Sequence, residues 1–204
     1  MIAKLRAAVS RQLSRPTGAG GRVIAALMNR GNRGLNQRAI DLLAVDPSSR
    51  ALDLGFGGGL ALPLLLERAA HVIAVDRAQD MVAAAEARHA DDVAAGRLTV
   101  ETGDVGALPL ADASVNRVLT VNTVYFWPDL APAFGELQRV MAPGARLVIG
   151  IRDGSVMERV DRAIFTIRTP DELARALRDA GFDDVEVVSM PDHKSHLLVA
   201  TSVL

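Results

Sequence analysis

The chain has 204 residues, half of them apolar, and a formal net charge of −1. That length suits one α/β domain with a small appendage, and the apolar content is enough to cover a sheet on both faces. The absence of cysteine excludes disulfides, thiolate metal sites and cysteine nucleophiles together. The four histidines, His71, His89, His193 and His196, share no ligand spacing, so no metal centre is expected. No apolar run approaches the length of a bilayer span, and the expected location is cytoplasmic.

The N-terminal stretch is basic. No acid precedes Asp41, whereas Lys4, Arg6, Arg11, Arg15, Arg22, Arg30, Arg33 and Arg38 all lie before it, leaving the remainder correspondingly acidic. Ile2, Leu5, Val9 and Leu13 fall on one helical face. Gly18, Gly20 and Gly21 are expected to separate that helix from a second, short one over Val23–Asn29, with a further structured segment at Leu35–Leu43. Residues 1–44 are therefore read as a helical arm and residues 45–204 as the main domain. The arm can act as a lid over an anionic substrate, as a membrane-surface helix or as a solvated face complementing the acidic domain. A transit peptide is disfavoured because the pattern continues into the domain.

The run A-L-D-L-G-F-G-G-G, Ala51 to Gly59, reads as a short buried strand ending in Asp53 and then a glycine-rich turn. An apolar helix is expected from Leu60 to Leu66. Glycine at Gly55, Gly57 and Gly59 permits positive φ and close approach of a ligand to the backbone. A dinucleotide fingerprint would place a third glycine where Leu60 stands. His71–Asp76 is a second apolar strand ending in an acid, followed by a helix from about Gln79. Arg97–Glu101 is a third, leading through Thr102-Gly103 to Asp104 and Val105. Acids at three successive strand ends line one edge of a sheet, where ligands of open α/β folds bind. They are costly to desolvate unless a ligand with donors meets them.

Val115–Asn122 is a fourth strand, and Pro143-Gly144 ends a helix and turns the chain into a fifth. Thr169, Pro170 and Glu172 fit N-cap, N1 and N3 of a helix stopping at Gly181. Asp184–Met190 and Ser195–Val203 read as a closing hairpin through Pro191-Asp192.

The series Asp53, Gly55, Gly57, Gly59 resembles the first motif of class I S-adenosylmethionine-dependent methyltransferases of the small-molecule "type 11" kind, and the Arg139–Leu147 segment resembles that family's R-V-L-x-P-G-G-x-L. The resemblance runs from about residue 45 to the end, with two departures. Val115-Asn116 replaces an F-D pair, and Ala145 replaces the second glycine after Pro143. It implies a doubly wound, mostly parallel, Rossmann-like seven-stranded α/β sheet with a C-terminal antiparallel hairpin and an N-terminal helical extension. It also implies S-adenosylmethionine as cofactor and S-adenosylhomocysteine as product. Asp53 and the loop Gly55, Phe56, Gly57 and Gly59 would take the methionine end, and Asp76 the ribose hydroxyls. Asp104 and Val105 would take the adenine, with Arg77, Met81 and Asn122 completing the set. Metal plays no part.

Tyr125, Phe126 and Trp127 cluster after the fourth strand in a chain with seven aromatics. Trp127 is expected on the core, with Pro128 at the first turn of the next helix. Asn122 and Tyr125 are the candidate catalytic residues, Tyr125 as weak base or orienting donor. Asn122-Thr123-Val124-Tyr125 resembles the N-P-P-Y motif of amino-group methyltransferases without either proline. Asp153 is a further candidate base, and Arg152 a grip for an acidic acceptor. Gly154–Arg168 is expected to complete the pocket with the arm.

The function expected is methyl transfer to an O, N or C atom of a small acceptor, anionic or amphipathic. The alternatives are an NAD(P)-dependent oxidoreductase and a non-catalytic cofactor-binding protein. Nucleic acid is disfavoured as partner because the domain is acidic and lacks a binding module. A homodimer is compatible with the sequence, which does not specify an oligomeric state.

Overall fold

A computed structural model of the protein describes residues 18–157 and 161–203, with side chains from residue 31 onward. The helix expected over Ile2–Leu13 lies outside the described residues. The first helix, α1, is Gly18–Leu43, followed by β1 (Arg50–Leu54), α2 (Leu62–Leu66), β2 (His71–Asp76), α3 (Gln79–Arg88), α4 (Ala90–Ala94) and β3 (Leu98–Thr102). The second half comprises β4 (Val115–Val121), α5 (Leu130–Val140), β5 (Met141–Arg152), α6 (Pro170–Asp179), β6 (Asp183–Met190) and β7 (Ser195–Thr201).

The seven strands form one sheet in the order β3-β2-β1-β4-β5-β7-β6. Strands β1 to β5 pair in parallel, whereas β7 runs antiparallel to both β5 and β6. The chain therefore winds outward from β1 through β2 to β3, then returns to β1's other side with β4. That reversal leaves a crevice outside the carboxyl ends of β1 and β4.

Alternate strand residues feed two cores. Leu52, Ile73, Val118, Leu147 and Ile149 pack with Phe134 and Leu137 of α5 and Leu173 and Leu177 of α6. Ala51, Val72, Leu119 and Val148 face Leu35, Ala39, Ile40 and Leu43 of α1, with Leu62 and Leu65 of α2. Burial on both faces explains why the strands read as unbroken apolar runs.

One expectation is corrected here. The segments predicted as separate over Val23–Asn29 and Leu35–Leu43 belong to a single 26-residue helix that starts at Gly18. Glycine inside a helix costs about 1 kcal/mol relative to alanine, which favours a break at Gly31 and Gly34. Tertiary contacts override that preference. A Cβ at Gly34 would lie 2.5 Å from the His193 ring, so the glycine lets α1 seat against the β6–β7 connection. The carbonyl of Gly31 accepts from the Arg152 guanidinium at the end of β5. The helix ends where Ala44 turns into the left-handed region at φ 53°.

A second correction concerns α5. It begins at Leu130, with Asp129 as N-cap accepting from the Ala131 N–H at 3.1 Å, so Pro128 stands before the cap and not at N1. Trp127 is buried against Phe134, ring centroids 5.9 Å apart. The helix after the glycine turn starts at Leu62 and not Leu60, with Pro63 in its first turn.

Helix α6 follows its local signals. Thr169 Oγ1 accepts from the Glu172 N–H at 3.2 Å, and Glu172 accepts from the Thr169 N–H at 2.7 Å, closing a capping box. Gly181 leaves the helix at φ 85°. Thr169→Ala should lower stability by about 1 kcal/mol, read as a shift of the urea midpoint without change of slope.

Candidate functional site

The floor of the crevice is the turn after β1. The Gly55 N–H donates to the Val75 carbonyl at 2.7 Å, tying the turn to β2. Gly55 has φ 71°, and a Cβ there would overlap the methyl of Thr123. Thr123 is itself held by a short hydroxyl contact with Thr120, whose Oγ1 donates to the Leu54 carbonyl at 2.9 Å. Gly57, at φ 51°, has nothing within 4 Å of where a Cβ would stand. Its N–H donates to Asp76 Oδ2 at 2.8 Å. The turn is thus a backbone cradle braced from β2 and β4. Gly59 serves differently: its N–H donates to the Phe56 carbonyl at 2.8 Å, and it turns the chain into α2 outside the cavity lining.

Three acids stand at adjacent strand ends, as β3-β2-β1 order requires. Asp53 is 4 % exposed, lines the cavity, and has no hydrogen-bond partner among the described residues. Burial pushes its carboxyl up to about 7, and the Asp76 carboxylate adds to the rise. Asp76, 8 % exposed, is supplied with donors: Oδ2 accepts from Gly57 and Oδ1 from the Ala78 N–H at 2.8 Å. Burial still raises its pKa, opposed by those two hydrogen bonds. Asp104 is exposed at the rim, where Oδ1 accepts from the Gly106 N–H at 3.2 Å. The loop carrying it is pinned from α5: Glu136 Oε1 accepts from the Leu108 N–H at 2.7 Å, and Arg139 donates to the Leu110 carbonyl at 2.9 Å.

The cavity is open to solvent and spans about 1080 Å³ with its mouth included. Asp53, Gly55, Phe56, Gly57, Asp76, Arg77, Asp104, Val105 and Asn122 all line it, so the structure gathers most of the predicted cofactor residues around one space. Met81 does not: it is buried beneath α3 in the core shared with α1 and α2.

Tyr125 also lies outside the lining. It is 2 % exposed, its hydroxyl accepts from the Arg152 N–H at 2.5 Å and donates to Asn122 Oδ1 at 3.4 Å. Burial drives the phenol pKa well above its ordinary value, which does not suit a base. Asn122 does reach the cavity, and at φ 60° it is a non-glycine residue held in the left-handed region. The two further candidates at the end of β5 are already committed. Arg152 donates to the carbonyls of His193 and Gly31 and to Asn32 Oδ1. Asp153 accepts from the Ser155 N–H at 2.8 Å and meets His196 Nε2 at 3.2 Å, and hydrogen bonds from Ser155 hold its carboxyl down at about 2.

Other residues of the site have no local signature. Asn32 and Asn36 of α1 line the cavity, one helical turn apart. Only their N-x-x-x-N spacing hints at this, inside a stretch dominated by arginines. Arg168, from the segment expected to complete the pocket, donates to the carbonyls of Val124 and Trp127 at 2.8 and 2.9 Å. It fixes the turn after β4, while Phe165 packs at a 60° tilt, centroids 4.7 Å apart, against Phe126, which lines the cavity beneath the Arg77 guanidinium.

A family of methyltransferase domains (Methyltransf_11) matches residues 52–149, the span from β1 through β5 that builds this crevice. Over those residues the chain is a methyltransferase domain of that family. An uncharacterised 37.1 kDa protein of transposon TN4556 from Streptomyces fradiae is 35% identical over 162 residues, 70% of this chain and 46% of that one. An arsenite methyltransferase of Halobacterium salinarum is 31% identical over 156 residues, 71% of this chain and 40% of that protein. The chain spans less than half the length of these two relatives. Among solved structures, a SAM-dependent methyltransferase from Aquifex aeolicus superimposes with a TM-score of 0.71 at 22% identity, covering 82% of this chain and 89% of that one. That likeness is one of fold. Among the described residues no cluster of side chains could hold a metal ion, and no helix is long and apolar enough to cross a membrane.

The Asp53 carboxyl sets a pH dependence. Its folded pKa lies above the unfolded value, so the folded state gains from it below about pH 4 and loses that gain as pH rises towards about 7. The melting temperature of the cofactor-free protein should therefore carry a downward component across that window. Asp53→Asn should remove that component and raise the melting temperature at pH 8, as measured by calorimetry.

Proposed function

We propose that the chain transfers the methyl group of S-adenosylmethionine to a small molecule. One observation carries the reading: a buried carboxylate without a donor among the described residues, Asp53, beside a loop position, Gly57, that leaves open space. A buried carboxylate is tolerated when a cationic donor meets it, and the cofactor's ammonium is such a group. When bound, S-adenosylmethionine supplies an electrophilic methyl on a sulfonium that departs as the neutral thioether S-adenosylhomocysteine.

The other residues fit the rest of that molecule. Both Asp76 oxygens accept from backbone N–H groups, and a carboxylate has acceptor sites beyond these for neighbouring ribose hydroxyls. Asp104 and the Val105 backbone stand where an adenine amine and ring would be read, with Phe56 and Val105 as apolar walls. A pyrophosphate fits this crevice poorly, because its charge would face Asp53, Asp76 and Asp104 together. Asp53 ionises as the ammonium arrives, so affinity should rise with pH through about 7.

Catalysis on this reading is mainly alignment, which can supply ~7–11 kcal/mol. Tyr125 acts as a positioning residue: its hydroxyl orients Asn122 and is held by the Arg152 backbone. Residues 1–44 form an addition to the cofactor domain over 45–204 and contribute Asn32 and Asn36 to the acceptor side. Arsenite, the substrate named for one relative, does not suit a chain without cysteine.

Titration calorimetry with S-adenosylhomocysteine tests the site. Gly57→Val adds a β-branched side chain at φ 51°, at a strain of about 1–2 kcal/mol, and fills the cradle; binding should be lost while circular dichroism stays that of the wild type. Asp104→Ala, at an exposed position, should weaken binding about tenfold with little loss of stability. Wild-type affinity in Gly57→Val would refute the reading.

A further inference from the structure

The cavity carries more hydrogen-bonding groups than the three acids and the glycine turn. Asn32, Asn36 and Asn122 place three carboxamides on its walls, two from α1 and one from the end of β4. Their orientations are set by the chemistry of their partners. Arg152 Nη2 can only donate, so the Asn32 atom it meets at 2.8 Å is the oxygen, leaving the Asn32 NH2 without a partner among the described residues. Asn36 Nδ2 donates to the Asn32 carbonyl at 3.1 Å, leaving its oxygen as an unused acceptor. The Tyr125 hydroxyl already accepts from the Arg152 N–H, and its own proton is shared between Asn122 Oδ1 at 3.4 Å and the Arg152 carbonyl at 3.5 Å; the Asn122 NH2 has no partner among the described residues. Asn36 is 7 % exposed, so its oxygen has little access to bulk water.

One network therefore ties the three amides together. It passes from Asn122 through Tyr125 to the Arg152 backbone, and from the Arg152 guanidinium to the Asn32 side chain, with Asn36 joined through the Asn32 backbone carbonyl. It fixes two donors and one acceptor, with no net charge. The one cationic side chain lining the cavity among the described residues, Arg77, sits 5.4 Å over the Phe126 ring, and the acids of the lining repel anions. A protonated amine has no lone pair to attack a methyl group, and on the cofactor reading the acids of the lining, Asp53, Asp76 and Asp104, are engaged by the cofactor and do not serve as its base.

We propose that Asn32, Asn36 and Asn122 are the acceptor-specificity residues, and that they hold a neutral small molecule presenting a carbonyl beside an N–H or O–H. The two amide NH2 groups meet the carbonyl, and Asn36 Oδ1 meets the neighbouring proton. This departs from the anionic acceptor expected from the arginine-rich arm, because Arg152 is consumed in holding the amides. It rests on the S-adenosylmethionine reading of the same cavity.

Three matched probes test it: benzamide, benzoate and benzylamine, titrated by NMR into the full chain with and without saturating S-adenosylhomocysteine. Benzamide should bind more tightly than either charged probe in both series. Asn36→Leu should weaken benzamide about tenfold, as expected for one unpaired buried group, while S-adenosylhomocysteine affinity stays at the wild-type value. Asn122→Gly, which keeps the left-handed backbone, should weaken benzamide similarly. Unchanged cofactor affinity in Asn36→Leu also shows that the variant folds. Failure of benzamide to bind, a preference for benzoate or benzylamine, or benzamide affinity indifferent to both substitutions overturns the proposal. Absence of S-adenosylhomocysteine binding in the wild type overturns the cofactor reading, and the series without it then judges the amide site alone.

Discussion

A carboxylate buried without a donor is the constraint around which the rest of this molecule is arranged. Asp53 sits near the carboxyl end of β1, between β2 and β4, buried at the floor of the cavity. Ionising it there costs free energy, and none of the described residues supplies a compensating hydrogen bond. Its neighbour Asp76 is treated in the opposite way, with a backbone N–H on each oxygen. Two acids of similar burial thus have different tasks. Asp76 organises the turn and keeps spare acceptor capacity, whereas Asp53 is left for a ligand to neutralise.

The turn is held by its neighbours as much as by its glycines. Gly55 is clamped between the Val75 carbonyl and Thr123, and Gly57 is aimed by Asp76. Thr123 is fixed through Thr120 to the Leu54 carbonyl. Strands β1, β2 and β4 are thus hydrogen-bonded around one cradle. Preorganisation of this kind removes the ordering cost that a loose loop would impose on binding.

The other wall depends on Arg152. A guanidinium presents several donors in a rigid fork, and here they join α1, the end of β5 and the β6–β7 connection. Glycine at position 34 lets the helix come close enough to His193 for that joint to form. The arm and the sheet therefore share one polar seam next to the cavity. Arg168 performs a similar service for the turn after β4, drawing Val124 and Trp127 carbonyls to a single side chain.

Much of this was legible in the residues alone, because its causes are local. Positive φ demands glycine at 55, 57 and 59, a capping box demands Thr169 and Glu172, and apolar runs ending in Asp53 and Asp76 mark buried parallel strands. The matched family span, residues 52–149, covers that same local grammar. Tertiary structure alone decided where long side chains point and which helix breaks are overridden. Arg152 turned from a substrate grip into a brace and Tyr125 from a cavity residue into a buried link, because their partners lie 27 to 121 positions away in the chain. Glycine propensity favoured a break in α1, and packing against β5 and His193 outweighed it. Sequence spacing specifies backbone conformation over a few residues; the partners of a side chain are settled only when distant segments meet.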